Sequence, residues 1–212
     1  VIAVDPTSPF TGGSLLGDRV RVNKYMWDDR VFIRSMGSHG DLGGLARKSQ
    51  DVSDVLEASG KDFIIFETVG VGQGEIDIAS AADITIVVLV PESGDEIQLL
   101  KAGILELADV FVVNKSDRKD ANLLVRSINN IISATKKDIK KIPIFKTSCK
   151  SGDGIADFAT ALIACHGSMK ENDQIKSRQL SRFSRRMRNI IEKDIIQEFW
   201  SKDRIKFIEN LN

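Results

Sequence analysis

The fold of this chain is decided by the stretch Phe63-Ile64-Ile65-Phe66-Glu67-Thr68-Val69-Gly70-Val71-Gly72-Gln73-Gly74-Glu75. Its first four residues form a short apolar run, which is typical of a buried parallel strand. A carboxylate follows the run, and three glycines come after it. Glycine lets backbone N–H groups approach an anion, and a carboxylate at a strand exit can hold a metal ion or its water. The stretch therefore predicts a phosphate site, with a tight strand-to-helix turn and a capping acid as the alternative.

Similar apolar runs recur along the chain, and a polar or glycine-rich loop follows them. The further predicted strands are Val1–Val4, Val31–Met36, Asp83–Val90, Asp109–Val113 and Ile142–Lys146. Helices are predicted near 46–58, 97–107, 121–136 and 155–165. Strands that alternate with helices predict an α/β fold, in which a doubly wound, mostly parallel sheet carries its site at the carboxyl ends of the strands.

Composition excludes several classes of protein. Lys and Arg number 30, as do Asp and Glu, so the formal net charge is zero, which argues against a nucleic-acid surface spread over the molecule. Two cysteines are too few for a disulfide scaffold and favour a reducing compartment. No apolar run approaches the roughly 18 residues of a membrane-spanning helix, and we expect no signal peptide. We therefore expect a cytoplasmic protein that binds neither nucleic acid nor membranes.

The composition changes after residue 166, so we predict a main domain over 1–166 and a helical arm over 167–212. Residues 168–212 contain 11 Lys and Arg against 7 Asp and Glu. One helical stripe of the arm is apolar; it consists of Phe183, Met187, Ile190, Ile191, Ile195 and Phe199, with Trp200 beside it. The stripe needs a partner surface, either the chain's own sheet or a second subunit. Because acids are interspersed among the basic residues, RNA or membrane binding is the weaker interpretation.

A guanine site is predicted by Asn114-Lys115-Ser116-Asp117 at the end of a Val-Phe-Val-Val strand. Asp117 can accept hydrogen bonds from guanine N1–H and from the exocyclic amino group, a pair that adenine lacks. Lys115 can lay its aliphatic stem on the base, and Asn114 can join neighbouring loops. The loop after the next strand, Thr147-Ser148-Cys149-Lys150, is placed to offer backbone N–H groups to guanine O6.

Two acids flank a polar loop near the start of the chain. Asp5 follows the first strand, and Asp18 comes after a run rich in Pro, Gly, Ser and Thr. Such a loop can fold over a ligand; an exposed loop with solvated charges is the alternative. His39 has no second histidine or cysteine near it in the sequence, so we expect a loop hydrogen bond there rather than metal ligation.

Together these motifs resemble the MeaB/ArgK/MMAA family of P-loop GTPases, some of which are also labelled LAO/AO transport ATPases or kinases. The matching stretches are Val4-Asp5-Pro6, Thr11–Asp18, Leu42-Gly43-Gly44, Glu67–Gln73, Ser93–Glu96 and Asn114–Asp117. The likeness covers residues 1 to about 165, and the C-terminal helix resembles the family's dimerisation arm. It implies a G domain, GTP hydrolysis to GDP and phosphate, and service as a chaperone for adenosylcobalamin-dependent methylmalonyl-CoA mutase. It also implies a homodimer.

The resemblance assigns roles to individual residues. Asp5 and Asp18 would lie in the first switch, near Mg²⁺ and the attacking water. Glu67 would be the metal-linked acid of the second switch, and Gly70 its N–H donor to the γ-phosphate. The implied catalytic residues are thus Asp5, Asp18, Glu67 and Gly70, the first three also being the Mg²⁺ residues. The implied GTP/GDP-binding residues are Asn114, Lys115, Asp117, Ser148, Cys149 and Lys150. The third switch, which couples nucleotide state to the mutase, would be Ser93–Lys101.

One departure from the family is large. Relatives carry a phosphate loop ending in Gly-Lys-Ser/Thr just before the strand that begins here at Val1, and no such motif occurs in the 212 residues. We therefore expect a chain whose upstream part is missing, which alone binds GTP weakly and hydrolyses it negligibly.

Other functions remain open at this stage. One alternative to part of a GTPase is an inactive remnant or interaction module that keeps the switch and dimer surfaces. Another is a nickel-type metallochaperone GTPase, but the cysteines and histidines of this chain do not form a metal cluster by spacing.

Overall fold

The computed structural model describes most of the chain as two compact units, Val1–Leu162 and Ile163–Asn212. The described residues are 1–5, 25, 27–37, 42–68, 78–91, 107–135, 142–200 and 204. The sequence predicted the domain boundary four residues later, between 166 and 167. Both positions lie within one helix, which spans residues 155–171.

The first sheet of the Val1–Leu162 unit has three parallel strands in the order β2-β1-β3. They are β1 (Ile2–Asp5), β2 (Arg34–Gly37) and β3 (Phe66–Thr68). Helix α1 (Leu42–Ala58) connects β2 to β3, as the crossover between parallel strands requires. Ile2 and Val4 of the central strand are buried with Leu56 of α1 and with Ile78. This core fixes β1, and with it the place where β1 ends.

The second sheet has the order β4-β5-β6 and is also parallel. Its strands are β4 (Ile86–Leu89), β5 (Val110–Val113) and β6 (Ile144–Lys146). All four residues of the central strand β5 are buried, which is the pattern of a strand covered on both faces. Helix α2 (Ala121–Thr135) connects β5 to β6 and contributes Leu124 and Ile128 to the core on one face.

Two long helices follow β6. Helix α3 (Ile155–Glu171) contacts the second sheet through Phe158, whose ring centroid lies 5.6 Å from that of Phe145. Helix α4 (Gln174–Phe199) lies wholly in the Ile163–Asn212 unit and carries many exposed apolar side chains. Among the described residues, no helix combines the length and apolarity that crossing a membrane requires.

The predicted α/β class with parallel strands is confirmed, but several element boundaries differ. Strand β3 begins at Phe66, so Glu67 lies within the strand and not after it. The run 63–66, predicted as a buried strand, has two exposed side chains, since Phe63 is 70% exposed and Ile65 is 56% exposed. Side chains alternate between the two faces of an extended segment, and only Ile64 and Phe66 face the core.

Two helices extend beyond their predicted limits. Helix α1 begins at Leu42, before the predicted start at 46, and includes Gly43 and Gly44. Each glycine in a helix is unfavourable by only about 1 kcal/mol, so the two together did not prevent the helix. Helix α3 continues past the predicted end at 165 to Glu171, where residues 172 and 173 turn the chain. The predicted helix over 97–107 lies almost wholly outside the described residues.

Candidate guanine-nucleotide site

The first loop of the candidate site leaves the buried strand β5. The Asn114 N–H donates to the Leu89 carbonyl at 2.8 Å, which ties the loop to the neighbouring strand β4. Lys115 adopts the left-handed conformation, with φ 57°. Its carbonyl accepts the Arg118 N–H at 3.0 Å, and the Ser116 N–H donates to the Thr147 carbonyl at 3.0 Å. The turn is therefore fixed by its backbone and lies against the loop that follows β6.

That second loop runs from Thr147 to Gly154 and is closed by its own backbone. The Ser148 N–H donates to the Asp153 carbonyl at 3.0 Å, and the Gly152 N–H donates to the Ser148 carbonyl at 2.8 Å. Gly154 has φ +70°, and a Cβ atom at this position would overlap the carbonyl oxygen of Lys146. Glycine is required here because the backbone of β6 occupies the space of a side chain.

Side chains join the two loops at three contacts. The Ser148 hydroxyl donates to Asp117 Oδ1 at 3.0 Å. Asn114 Oδ1 accepts the Cys149 N–H at 3.3 Å and the Thr147 hydroxyl at 3.4 Å. Ser148 and Thr147 are buried, at 1% and 4% exposure, whereas Asp117 is exposed. A buried hydroxyl thus holds one oxygen of a carboxylate that faces solvent.

The surroundings of Asp117 keep its carboxyl group ionised. The Ser148 hydroxyl bond is the main cause that lowers the pKa of Asp117; the Asp117 backbone N–H and the charges of Lys150 and Arg118 also lower it. Partial desolvation acts in the opposite direction and is outweighed. An ionised carboxylate has about four acceptor positions. It can therefore keep its bond to Ser148 and accept two further donors from a ligand.

The two adjacent loops contain all six residues predicted to bind GTP through its guanine base: Asn114, Lys115, Asp117, Ser148, Cys149 and Lys150. One predicted detail is corrected. The Ser148 N–H was expected to be offered to a ligand, but it donates to the Asp153 carbonyl. The hydroxyl of Ser148 instead contributes to the site by donating to Asp117. Lys115, Cys149 and Lys150 are exposed.

A second set of predicted residues lies at the carboxyl edge of the first sheet. Asp5 is the last residue of β1 and pairs with Gly37 of β2. In the neighbouring strand β3, Glu67 pairs with Ala3 of β1 and is half-buried. Because parallel strands end at the same edge of a sheet, Asp5 and Glu67 belong to one edge. Asp18, Gly70 and the predicted third switch at Ser93–Lys101 lie outside the described residues, as do positions 69–75 of the Gly-rich stretch.

The donor chemistry of this edge suits magnesium. Mg²⁺ prefers oxygen ligands and is commonly held by one or two carboxylates together with phosphate oxygens and water. Asp5 of β1 and Glu67 of β3 are two acidic residues on adjacent strands. In the part of the chain that the structure describes, no group of three or more His, Cys, Asp or Glu could hold a metal ion by itself, so an all-protein cage is not found there.

Two contributors to the site were missed by the sequence interpretation. The first is the Ser148 hydroxyl, and the second is Gly154 with its left-handed backbone. The spacing Ser148-x-x-Ser151-Gly152-Asp153-Gly154 was the available signal, since two glycines around an acid predict a tight turn. The spacing did not reveal that the turn places Gly154 in close contact with the Lys146 carbonyl of β6.

Comparison with known proteins gives a consistent result. The family model described as methylmalonyl-CoA mutase-associated GTPase MeaB matches residues 1–204. A Pyrococcus horikoshii protein named as a GTPase is 41% identical over 195 residues, which cover 90% of this chain and 62% of that protein. The mitochondrial methylmalonic aciduria type A homolog of Mus musculus is 33% identical over 94% of this chain and 49% of its own length.

A third relative, the GTPase ArgK of Escherichia coli, is 45% identical over 117 residues, or 55% of this chain and 35% of its own. The chain therefore spans between about a third and two thirds of the length of these curated relatives. The family model covers nearly the whole chain, and the two loops that hold Asp117 and Ser148 lie inside the matched region. The chain belongs to the MeaB family of methylmalonyl-CoA mutase-associated GTPases.

Proposed function

We propose that this chain is the part of a GTPase that recognises the guanine base of GTP and GDP. The observation that carries the proposal is the 3.0 Å hydrogen bond from the Ser148 hydroxyl to Asp117. It orients an ionised carboxylate beside two loops that are locked to each other through Asn114. Guanine presents N1–H and its amino group side by side, and one carboxylate can accept both. Adenine leaves such a carboxylate without donors, which is strongly unfavourable.

The other residues of the two loops have supporting roles in this proposal. The stem of Lys115 lies on the face of the base, and Asn114 keeps the loops at a fixed separation. The Lys150 N–H donates to guanine O6. The Cys149 N–H is a second donor, because its bond to Asn114 is long at 3.3 Å and can be shared with a ligand oxygen.

For the whole protein we propose GTP hydrolysis with Mg²⁺. The resemblance supplies the roles: Asp5 and Asp18 lie near Mg²⁺ and the attacking water, Glu67 is the metal-linked acid, and the Gly70 N–H donates to the γ-phosphate. Asp5, Asp18 and Glu67 would hold the ion, which when bound neutralises charge on the phosphate oxygens. The position of Asp5 and Glu67 at one sheet edge supports the proposal.

The proposed client is an adenosylcobalamin-dependent methylmalonyl-CoA mutase in the cytoplasm. The support is the family description, which names the mutase, and the resemblance, which makes Ser93–Lys101 the segment that reports nucleotide state to it. We also propose a homodimer formed through α4. Its support is the set of large apolar side chains that α4 exposes, among them Leu180 at 61%, Phe183 at 64% and Ile195 at 59%.

Competition binding tests base recognition. The 212-residue chain is titrated with a fluorescent GDP in the presence of Mg²⁺, and GDP and ADP then compete for the site. We expect GDP to compete about 10³-fold better than ADP, because a site built on paired hydrogen bonds discriminates by large factors. The ratio is informative even when the absolute affinity is low. Equal competition by ADP and GDP would refute the proposal.

A second measurement tests the client. The mutase and the chain are mixed with GDP or with a non-hydrolysable GTP analogue, and complex formation is followed by analytical ultracentrifugation. We expect a complex whose affinity differs between the two nucleotides. Absence of a complex in both nucleotide states would contradict the proposed partner and would leave base recognition untouched.

A further inference from the structure

The hydroxyl of Ser148 has partners on both its donor side and its acceptor side. Its hydrogen goes to Asp117 Oδ1 at 3.0 Å. Its oxygen accepts the Ser151 N–H, from the turn of the same loop, at 3.4 Å. A hydroxyl has a single hydrogen, which rotates about the C–O bond to suit its neighbours. A donor on the acceptor side therefore directs that hydrogen away from Ser151 and toward Asp117.

Ser151 is held in turn by the side chain of Asp153. The Ser151 hydroxyl donates to Asp153 Oδ2 at 2.6 Å, a distance typical of the stronger hydrogen bonds that a charged carboxylate accepts. Asp153 also accepts the Ser148 N–H at 3.0 Å through its backbone carbonyl. A side-chain substitution of Asp153 removes the first of these contacts and keeps the second.

These contacts form a chain of three hydrogen bonds that ends at the carboxylate assigned to the base. Ser151 joins the two ends, through its hydroxyl to Asp153 and through its N–H to Ser148. Asp153 and Ser151 are exposed, whereas Ser148 is buried at 1% exposure. Because linked hydrogen bonds in a protein interior strengthen one another, the loss of one contact is expected to weaken the next.

We propose that Asp153 is a positioning residue of the guanine site, which acts through Ser151 and Ser148 to orient the Asp117 carboxylate toward the base. Asp153 itself does not touch the nucleotide. Its carboxylate holds Ser151, the Ser151 N–H holds the acceptor side of the Ser148 hydroxyl, and that hydroxyl holds one oxygen of Asp117. The remaining acceptor positions of Asp117 are left for guanine. The role of Asp153 rests on the base recognition proposed above and adds to it a residue outside the two loop motifs predicted from the sequence.

Charge repulsion is the competing explanation for any effect of Asp153 on Asp117. The Ser148 hydroxyl bond is the main cause that lowers the pKa of Asp117, and Lys150 and Arg118 are the charged groups that also lower it. A neighbouring carboxylate raises the pKa of a carboxyl group, so removal of the Asp153 charge alone would lower the pKa of Asp117. Loss of a positioning residue weakens the Ser148 bond and raises that pKa. The sign of the change therefore separates the two explanations.

The pKa of Asp117 is measured in the 212-residue chain from the chemical shift of its carboxyl carbon against pH. For Asp153→Ala and Ser151→Ala we expect a rise in this pKa and GDP binding about threefold weaker, since each change acts at one remove from the base. Ser151→Thr keeps the hydroxyl and should match the wild type. Asp157→Ala removes a neighbouring exposed acid of α3 and should give no rise. An unchanged or lowered pKa of Asp117 in Asp153→Ala and Ser151→Ala would overturn the proposal.

A background without the Ser148 hydroxyl tests the route of the effect. In Ser148→Ala, the further change Asp153→Ala should cause no additional rise in the pKa of Asp117 and no additional loss of GDP binding, because residues that act through one group are not additive. Additive losses would show that Asp153 acts by another route and would overturn the proposal. A purely structural role would lower the urea midpoint of Asp153→Ala and leave the pKa of Asp117 at its wild-type value.

The two readouts separate the role of Asp153 from the proposed function, because the pKa of Asp117 is measured without nucleotide. A rise in this pKa in a chain that does not prefer GDP to ADP overturns the proposed function, and with it the role of Asp153 at the base. A preference for GDP with no rise in the pKa overturns the role of Asp153 alone. A rise in the pKa together with weaker GDP binding, both absent in Ser151→Thr, is the result that the proposal requires.

Discussion

Replacing Gly154 by Ala should destabilise the protein far more than the same change two residues earlier. Gly154 and Gly152 lie in the same loop, with φ +70° and +85°. A Cβ atom at Gly154 would overlap the backbone carbonyl of Lys146, whereas a Cβ atom at Gly152 meets nothing within 4 Å. The two substitutions replace the same residue type in the same loop and in a similar left-handed backbone conformation. They differ in what the new Cβ atom meets.

The expected loss in the free energy of unfolding has two parts. A left-handed residue with a side chain is unfavourable by about 1–2 kcal/mol, and the stiffer unfolded chain offsets roughly 0.4–1 kcal/mol of this. Gly152→Ala should thus lower the free energy of unfolding by about 1 kcal/mol. Gly154→Ala adds the displacement of a backbone carbonyl, which we place at about 1–3 kcal/mol by analogy with overpacking. Its total of about 2–4 kcal/mol is a large part of the ~5–15 kcal/mol of a typical domain.

Urea unfolding followed by far-UV circular dichroism measures the difference. Gly60→Ala is a second control, since Gly60 has φ +82° and a Cβ atom there would meet nothing within 4 Å. Because the Lys146 carbonyl immediately precedes Thr147 and Ser148, Gly154→Ala should also weaken GDP binding under conditions where the variant is folded. Equal unfolding midpoints for Gly154→Ala and Gly152→Ala would show that the loop does not press against β6, and the reasoning would be refuted.

Three further predictions concern the site and α4. Asp117→Asn should lose its preference for GDP and gain one for xanthosine diphosphate, because the side-chain amide donates a hydrogen bond where xanthine has an oxygen. Asp120→Asn is the control. Unchanged selectivity of Asp117→Asn in competition binding would contradict the assignment of Asp117 to base recognition. The lowered pKa of Asp117 means that its ionised form persists as pH falls and is lost only below the ordinary range near 3.8. Ser148→Ala removes the main cause of that lowering, so GDP binding measured against pH should fail at a higher pH than in the wild type, and superimposable profiles would count against it. Phe183→Asp should dissociate the dimer in sedimentation. Ser181→Asp should not, because residues two positions apart on α4 do not face the same side of the helix. A dimer that tolerates Phe183→Asp would exclude the α4 interface.

Much of the architecture was predictable because a strand that is buried on both faces is a continuous apolar run in the sequence. Strand β5 is a continuous apolar run, and all four of its residues are buried as expected. The loop after it was assigned to base recognition from its residue types, and its geometry places Asn114 and Asp117 against the next loop. By contrast, the run at 63–66 has the same composition as a buried strand, yet Phe63 and Ile65 are exposed. Apolar composition does not state how many faces of a strand are covered.

Local chemistry determined the order of strands and helices and indicated the residues around which the candidate site is built. These follow from runs of residue types, because an apolar run, a glycine turn and a carboxylate each act through their immediate neighbours. Only the tertiary structure decided that the Ser148 hydroxyl holds Asp117, which is 31 positions away in the chain, and that Gly154 is pressed against β6. Such contacts depend on the separation of parallel strands in space, and sequence spacing does not encode that distance.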